Sequence, residues 1–261
     1  GFTTIRNVGS GSYAEVALKR FINEGRFPGP RIFTATKGLG ITGGHADING
    51  WSPDVPLRGY AQIVDGVDAV RHAVREQIKF GADLIKITAS GGVLSSGDSV
   101  NHEQYSEEEI RAAVEEAGRL GRKVAAHAHA AKAIVNAVRA GVASIEHGSL
   151  IDDEGIALMK QKGTYLVPTL YTLDFIINEG REHGVPQYGI DKAKEVAKVQ
   201  RANLKRAYQA GVRFAYGTDA AVFPHGRNAR DFAILVEQLG VPPLEAIRMA
   251  TQSSADLIGI S

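Results

Sequence analysis

The chain has 261 residues, and its 30 Lys plus Arg against 29 Asp plus Glu leave a net charge of +1, which gives no electrostatic reason to bind nucleic acid or an anionic membrane. Cysteine is absent, which excludes disulfides, thiolate nucleophiles and Cys-type zinc sites, fits a reducing, cytoplasmic setting, and means that any metal is held by nitrogen and oxygen. No apolar run nears the roughly 20 residues of a membrane span, no signal-peptide pattern is present, and one domain is the default for this length.

Thr3 to Val8 alternates as a strand and stops at Gly9-Ser10-Gly11-Ser12; Tyr13 to Asn23 then has helical periodicity and ends at Gly25. Arg31 to Thr36 is the next strand. A glycine-rich segment follows, Lys37 to Tyr60, with Gly43-Gly44-His45, Trp51, Pro53 and Pro56. A loop this long inside a compact domain is usually functional or mobile. Gly66 to Phe80 reads as a helix with Val67, Val70, Val74 and Ile78 inward, and Asp83 to Ala89 as a strand. After Ser90-Gly91-Gly92 and a polar loop through His102, Ser106 opens a helix with Glu109 completing a capping box.

Arg122 to Gly148 is a strand, helix and strand with histidines at both strand ends. Val124 to Ala126 leads into His127 and His129; Ala130 to Ala140 is helical, with Gly141 at the C-cap; Ala143 to Glu146 leads into His147. In such a βαβ unit the strands are parallel neighbours about 4.8 Å apart, so imidazoles at their carboxyl ends converge on one point. A metal ion there would account for them. Beyond this unit, helices are expected at Asp152 to Lys162, Asp191 to Ala210, Asn228 to Leu239 and Leu244 to Ile258, and strands at Thr164 to Thr169 and Val212 to Tyr216. Seven strands, each followed by a helix and none with a dinucleotide-binding glycine fingerprint, favour an α/β fold of the (β/α)8 TIM-barrel type lacking its first strand.

Four strand ends carry ligand-type residues: Lys86 in DLIKITA, His127 and His129 in VAAHAHA, His147 in SIEHG and Asp219 in YGTDA. Any one alone is more often a hydrogen-bonded structural group, but four on the face where barrels place their chemistry point to a metal site. The ordered set IKI-ASGGV, VAAHAHA, IEHG and GTDA resembles the amidohydrolase superfamily, in particular its imidazolonepropionase-like Xaa-Pro and Xaa-Arg dipeptidase branch. GFTTIRNVG at the start and ATQSSADLIGI at the end match the same branch, so the likeness covers nearly the whole chain.

The resemblance implies two divalent metals, usually zinc, bridged by a carboxylated lysine and a hydroxide. By motif position, Lys86 is then the carbamate bridge, His127 and His147 are ligands of one metal, and Asp219 is a ligand that also moves protons. A buried lysine loses hydration, which lowers its pKa and frees the neutral amine for carbon dioxide; the competing role for Lys86 is an ion pair with Glu146 or Asp219. Asp219 could instead cap a helix. His129 is expected further out, toward substrate. His45 is read as a binder of a substrate carbonyl or carboxylate, or else as an exposed loop residue. Tyr171 is read as an oxyanion donor or as aromatic packing. His225 and Arg227 are read as carboxylate readers, Arg227 alternatively capping a loop. His72 and His183 are taken as surface residues.

The implied activity is hydrolysis of C–N amide bonds in dipeptides or N-acyl amino acids. Deamination or cyclic-amide opening is the alternative within the superfamily, and a silent binding scaffold the alternative outside it. Small-molecule substrates are the expected partners, with self-association into a homo-oligomer open. The family pattern also includes an HxH pair on the first strand and a flanking small β-sandwich. Neither occurs in this sequence, so the chain reads as the catalytic-barrel segment of a longer enzyme.

Overall fold

The computed structural model describes residues 1–52, 54–55, 57 and 59–260; Pro53 and Pro56 of the long glycine-rich segment lie outside the described residues. The elements in order are β1 (Thr4–Asn7), α1 (Ala14–Asn23), β2 (Arg31–Thr34), β3 (Gly38–Gly40), β4 (Ala61–Ile63), α2 (Val67–Lys79), β5 (Leu84–Thr88), α3 (Glu107–Arg119), β6 (Lys123–Ala128), α4 (Ala131–Ala140), β7 (Ser144–His147), α5 (Asp153–Lys162), β8 (Tyr165–Val167), α6 (Leu170–Asn178), α7 (Gln187–Gln209), α8 (Arg230–Glu237), α9 (Pro243–Arg248), a π-turn (Met249–Ser253) and α10 (Ser254–Ile258).

All strand pairings are parallel, in a β1-β2 pair and an array ordered β4-β3-β5-β6-β7-β8. Thr34 links the two: its carbonyl accepts the Asp83 amide at 2.7 Å, just before β5. Residues 31–40 are thus one extended stretch, broken at Thr36, whose φ of 58° interrupts the ladder. Beyond β8, Phe214 makes a single bridge to Leu166. The result is a curved parallel sheet with seven strand positions, the TIM-barrel type expected from the βα alternation. Among the described residues no ladder joins β1 to the Phe214 segment; Phe2 and Tyr216 stack there with ring centroids 5.7 Å apart.

A parallel sheet covered on both faces needs strands that are apolar throughout. β5 and all of β6 after Lys123 are buried, and Leu39, Ile85, Ile87, Ile145 and Leu166 form the middle of the core. Small residues such as Ala113, Ala117, Ala133 and Ala137 let α3 and α4 approach this sheet closely. Inside the barrel, Arg6 of β1 donates to both carboxylate oxygens of Glu146 on β7 at 2.8 and 2.9 Å, with Ser144 as a third partner. The α3 capping box is present, Ser106 accepting from the Glu109 amide and Glu109 from the Ser106 amide. Ser106→Ala is expected to cost about 1 kcal/mol; an unchanged denaturant midpoint would contradict this.

The departures from the sequence reading are local. The segment expected to be loop from Lys37 to Tyr60 contains β3, and β4 follows it, paired Leu39 to Gln62 and Leu39 to Ile87. A Gly-Leu-Gly strand carries no alternation, yet Gly40 is required: a Cβ there would press on Ala46. Val212 to Tyr216 makes one bridge rather than a ladder. Helix α6 was not expected, α7 begins at Gln187 rather than Asp191, and the last helix is interrupted by the π-turn.

Candidate active site

Parallel register puts cross-strand neighbours on one face. Lys86 lies opposite Ala125, and Thr88, His127, Glu146 and Val167 form a continuous row, so Lys86, His127 and Glu146 all point into the barrel. Alternation alone would send His147 the other way from Glu146. Its φ of 73°, in the left-handed region, instead turns the ring inward. Thr169 (φ 44°) and Asp219 (φ 56°) have the same unusual backbone at the ends of the next two strand positions. Such conformations persist only where the surroundings enforce them, and they cluster at functional sites.

His127, His129 and His147 form one group in which a ring nitrogen of each lies within 4.8 Å of the others. The His127 ring is 4.8 Å from His129 and 4.7 Å from His147, both edge-on, while His129 and His147 stack at 4.9 Å. His129 therefore stands inside this group rather than beyond it. Each ring has one nitrogen engaged: His127 Nε2 with the Gly91 carbonyl at 3.3 Å, His129 Nδ1 with Ser149 Oγ at 2.9 Å, His147 Nδ1 with Thr169 Oγ1 at 2.7 Å. A carbonyl only accepts, so His127 carries its proton on Nε2 and Nδ1 is free. Burial, reinforced by mutual repulsion among the imidazoles, holds His127 and His147 well below their ordinary value and His129 down to about 3. Neutral imidazoles with one nitrogen oriented by a hydrogen bond and the other free are what a zinc-type ion requires, so the residues fit such a group.

Lys86 is buried between β3 and β6, and burial lowers its pKa, opposed by the charges of Glu146 and Asp219. The ion-pair alternative meets an engaged partner, since Arg6 already holds both oxygens of Glu146. Asp219 is pushed up to about 6, mainly by burial; Lys86 pulls it back and Glu146 adds to the rise. Asp219 is nonetheless an exposed residue, so solvent screening tempers that rise.

A second group surrounds Tyr171, a buried residue of α6 in T-shaped contact with Phe223 at 4.8 Å. Its hydroxyl lies 3.3 Å from both Glu179 and Arg227, and Arg227 pairs with Glu179 at 2.6 Å. His225 is exposed, as are His72 and His183. Asp231, almost fully buried, accepts from the Leu170 and Tyr171 amides at 2.6 and 3.2 Å and so fixes the start of α6.

His45 comes from the glycine-rich segment to stack on His127 at 4.5 Å. Burial lowers it to about 4, against the raising effect of Asp98. Its amide donates to Gln104 at 3.1 Å, and its Nδ1 is 2.7 Å from Ser95 Oγ. Ser95 in turn meets Asp98 at 2.6 Å, and Lys192 of α7 pairs with Asp98 at 2.8 Å. Tyr60, an exposed residue, donates to the His45 carbonyl at 3.3 Å, and partial burial with the charges of Asp219 and Asp98 raises its pKa. Ser95, Asp98, Gln104, Lys192 and Tyr60 belong to no motif in the sequence. The polar run after Gly91-Gly92 was a usable signal for Ser95 and Asp98, whereas nothing local marks Lys192.

A Cβ on Gly92 would overlap Cε1, Nδ1 and Nε2 of the His45 ring. Gly92→Ala is therefore expected to displace that ring and to lower kcat/KM by about 10²-fold, as misplacements near 1 Å do. Kinetics equal to the parent's, at an unchanged melting temperature, would contradict it. A groove of about 540 Å³ is lined by Lys37, Trp51 and Leu57 among others but by none of the imidazoles, so side-chain chemistry rather than cavity size locates the site. No helix among the described residues is long and apolar enough to cross a membrane.

Comparison with known proteins agrees with this architecture. A crystallised Xaa-Pro dipeptidase with methionine in its active site is 42% identical with a TM-score of 0.93, covering all of this chain and 65% of that one. A prolidase complexed with N-methylphosphonate-L-proline is 40% identical with a TM-score of 0.92, covering all of this chain and 64% of that one. Ochratoxinase of Aspergillus niger is 37% identical over 273 residues, 99% of this chain but 56% of the relative, so the chain spans little more than half of that enzyme's length. The Amidohydrolase family model matches residues 1–261, and the chain belongs to the amidohydrolase family.

Proposed function

We propose that this chain forms the catalytic barrel of a metal-dependent hydrolase that cleaves C–N amide bonds of dipeptides or N-acyl amino acids. The observation that carries the reading is the group of three neutral imidazoles, His127 and His129 buried and His147 half-buried, at the same end of the barrel as a desolvated lysine and a carboxyl raised to about 6. The names of its relatives, a Xaa-Pro dipeptidase and a prolidase, support the substrate class.

In this proposal His127, His147, Lys86 as its carbamate and Asp219 would hold divalent metal, with a pair of zinc ions as the expected occupant. When bound, such ions supply Lewis acidity toward a carbonyl oxygen and make water in the site more acidic. The chain's own groups do the rest. Burial favours the neutral form of Lys86, whose Nζ adds to carbon dioxide and passes a proton to water, leaving a carbamate with two oxygens. Asp219, ionised for the most part at pH 7, takes a proton from the attacking water on a carboxylate oxygen and returns it to the leaving nitrogen. The Tyr171 hydroxyl donates to the developing oxyanion. Arg227 and His225 take the substrate carboxylate, which exchanges with Glu179 on the Arg227 guanidinium. His129 and His45 orient the scissile amide.

The test is a panel of dipeptides and N-acyl amino acids offered to the zinc-supplemented protein, with amine release as the readout. Hydrolysis of at least one class is expected. Failure on every member, with metal bound, would overturn the reading.

A further inference from the structure

The His45 hydrogen-bond chain has a direction set by the donors and acceptors along it. Asp98 is surrounded by donors: Lys192 at 2.8 Å and Ser95 at 2.6 Å on Oδ1, the Gly92 amide at 3.1 Å and Gln104 Nε2 at 3.3 Å on Oδ2. A carboxylate paired with an ammonium in this way is ionised and only accepts. At 2.6 Å the single proton of Ser95 Oγ therefore points at Asp98. Ser95 has no second proton to give, so at its 2.7 Å contact with His45 Nδ1 the ring is the donor.

We infer that Asp98 and Ser95, anchored by Lys192, are positioning residues that lock neutral His45 as its Nδ1–H tautomer, so that Nε2 is a hydrogen-bond acceptor for an N–H group of the substrate. This reverses the role expected from the sequence: a ring whose remaining nitrogen is a bare lone pair does not donate to a carbonyl or carboxylate. The lock acts from two sides. Asp98 orients the imidazole through Ser95, and it also bonds Gln104, whose Oε1 accepts the His45 amide. Lys192 ties the same loop together by donating to the Gly92 and Ser95 carbonyls at 3.0 and 2.8 Å. Gly92 leaves room for the ring, which stacks on His127. The two sources of such an N–H in the proposed substrates are the amide itself and the free α-ammonium of a dipeptide. The identity of the donor rests on the proposed hydrolase reading, whereas the tautomer does not.

Nitrogen-15 NMR of the zinc-loaded protein, with His45→Gln used to assign the resonance, reads the tautomer directly. The expected result is a proton on Nδ1 and a bare Nε2, shifting toward a tautomer mixture in Ser95→Ala and back in Ser95→Thr. A proton on Nε2 in the parent protein overturns the inference, and that measurement stands even if a variant fails to fold. Kinetics with a dipeptide whose scissile amide carries an N–H and with its des-amino counterpart, the N-acyl amino acid that lacks the α-nitrogen, identify the donor. Ser95→Ala is expected to raise KM about 10-fold, the worth of one misdirected hydrogen bond, with kcat nearly retained. A rise confined to the dipeptide assigns the ammonium, and a rise for both assigns the amide N–H. Unchanged KM for both overturns the substrate role. Turnover of neither probe by the parent protein would count against the hydrolase reading and leave the tautomer to be decided by NMR.

Discussion

Asp219→Asn is expected to lower kcat/KM by about 10²- to 10⁴-fold, the usual range for removing a group that shuttles a proton in the transition state, while leaving the protein folded. The amide matches the carboxylate in shape but neither takes a proton from water nor returns it to the leaving nitrogen. The same substitution has a second, opposite effect on stability. In the folded chain Asp219 is raised to about 6 from an ordinary 3.8. Between those values the folded state binds the proton more tightly than the unfolded one, so stability falls as pH rises through this window and stays lower above it. The asparagine variant escapes that penalty. Stripped of metal by a chelator, it should melt above the parent at pH 8, with the gain shrinking toward pH 4. A variant that melts lower at pH 8, or that keeps parental kcat/KM, contradicts the role given to Asp219.

The second large effect concerns metal retention. His127→Ala and His147→Ala each remove a ring nitrogen of the cluster and leave a hydrogen-bonding partner, the Gly91 carbonyl or Thr169, without its ring. Each is expected to reduce bound zinc to well below one equivalent and to abolish turnover. His129 separates two arrangements that its position inside the cluster makes distinct. If it faces substrate, as proposed, His129→Ala keeps its zinc and loses activity. A supporting residue of this kind is worth about 10- to 100-fold in metal affinity or activity. Loss of zinc from His129→Ala equal to that from His127→Ala would make His129 a ligand instead. Metal analysis of the three purified variants beside the parent reads all of these outcomes.

The βα alternation was legible because each unit carries its own signals: an apolar run, a helical period, and a glycine at the turn, as at Gly141 and Gly163, both in the left-handed conformation that suits glycine. From that alternation the parallel sheet follows, and with it the shared end on which Lys86, His127, His147 and Asp219 stand. What sequence could not show was set by tertiary context. β3 is Gly-Leu-Gly and takes its strand conformation from pairing with β4 and β5 rather than from propensity. The inward turn of His147 comes from a positive φ that no pattern of letters encodes. Lys192 reaches Gly92 across 100 positions of sequence. Arg6 and Glu146 are 140 residues apart and meet only because the barrel brings β1 and β7 face to face. His45 was singled out for its loop, but the direction of its hydrogen bonding depends on Ser95 and Asp98, and these became visible only as a chain of short distances.

The most direct test of the central claim, that the histidine cluster with Lys86 and Asp219 supports metal-dependent hydrolysis of an amide bond, is amine release from dipeptides and N-acyl amino acids before chelation, after chelation, and after zinc is returned. The account predicts turnover that disappears with the metal and comes back with zinc. Turnover that persists undiminished in fully stripped protein, or its absence from protein carrying stoichiometric zinc, would contradict it.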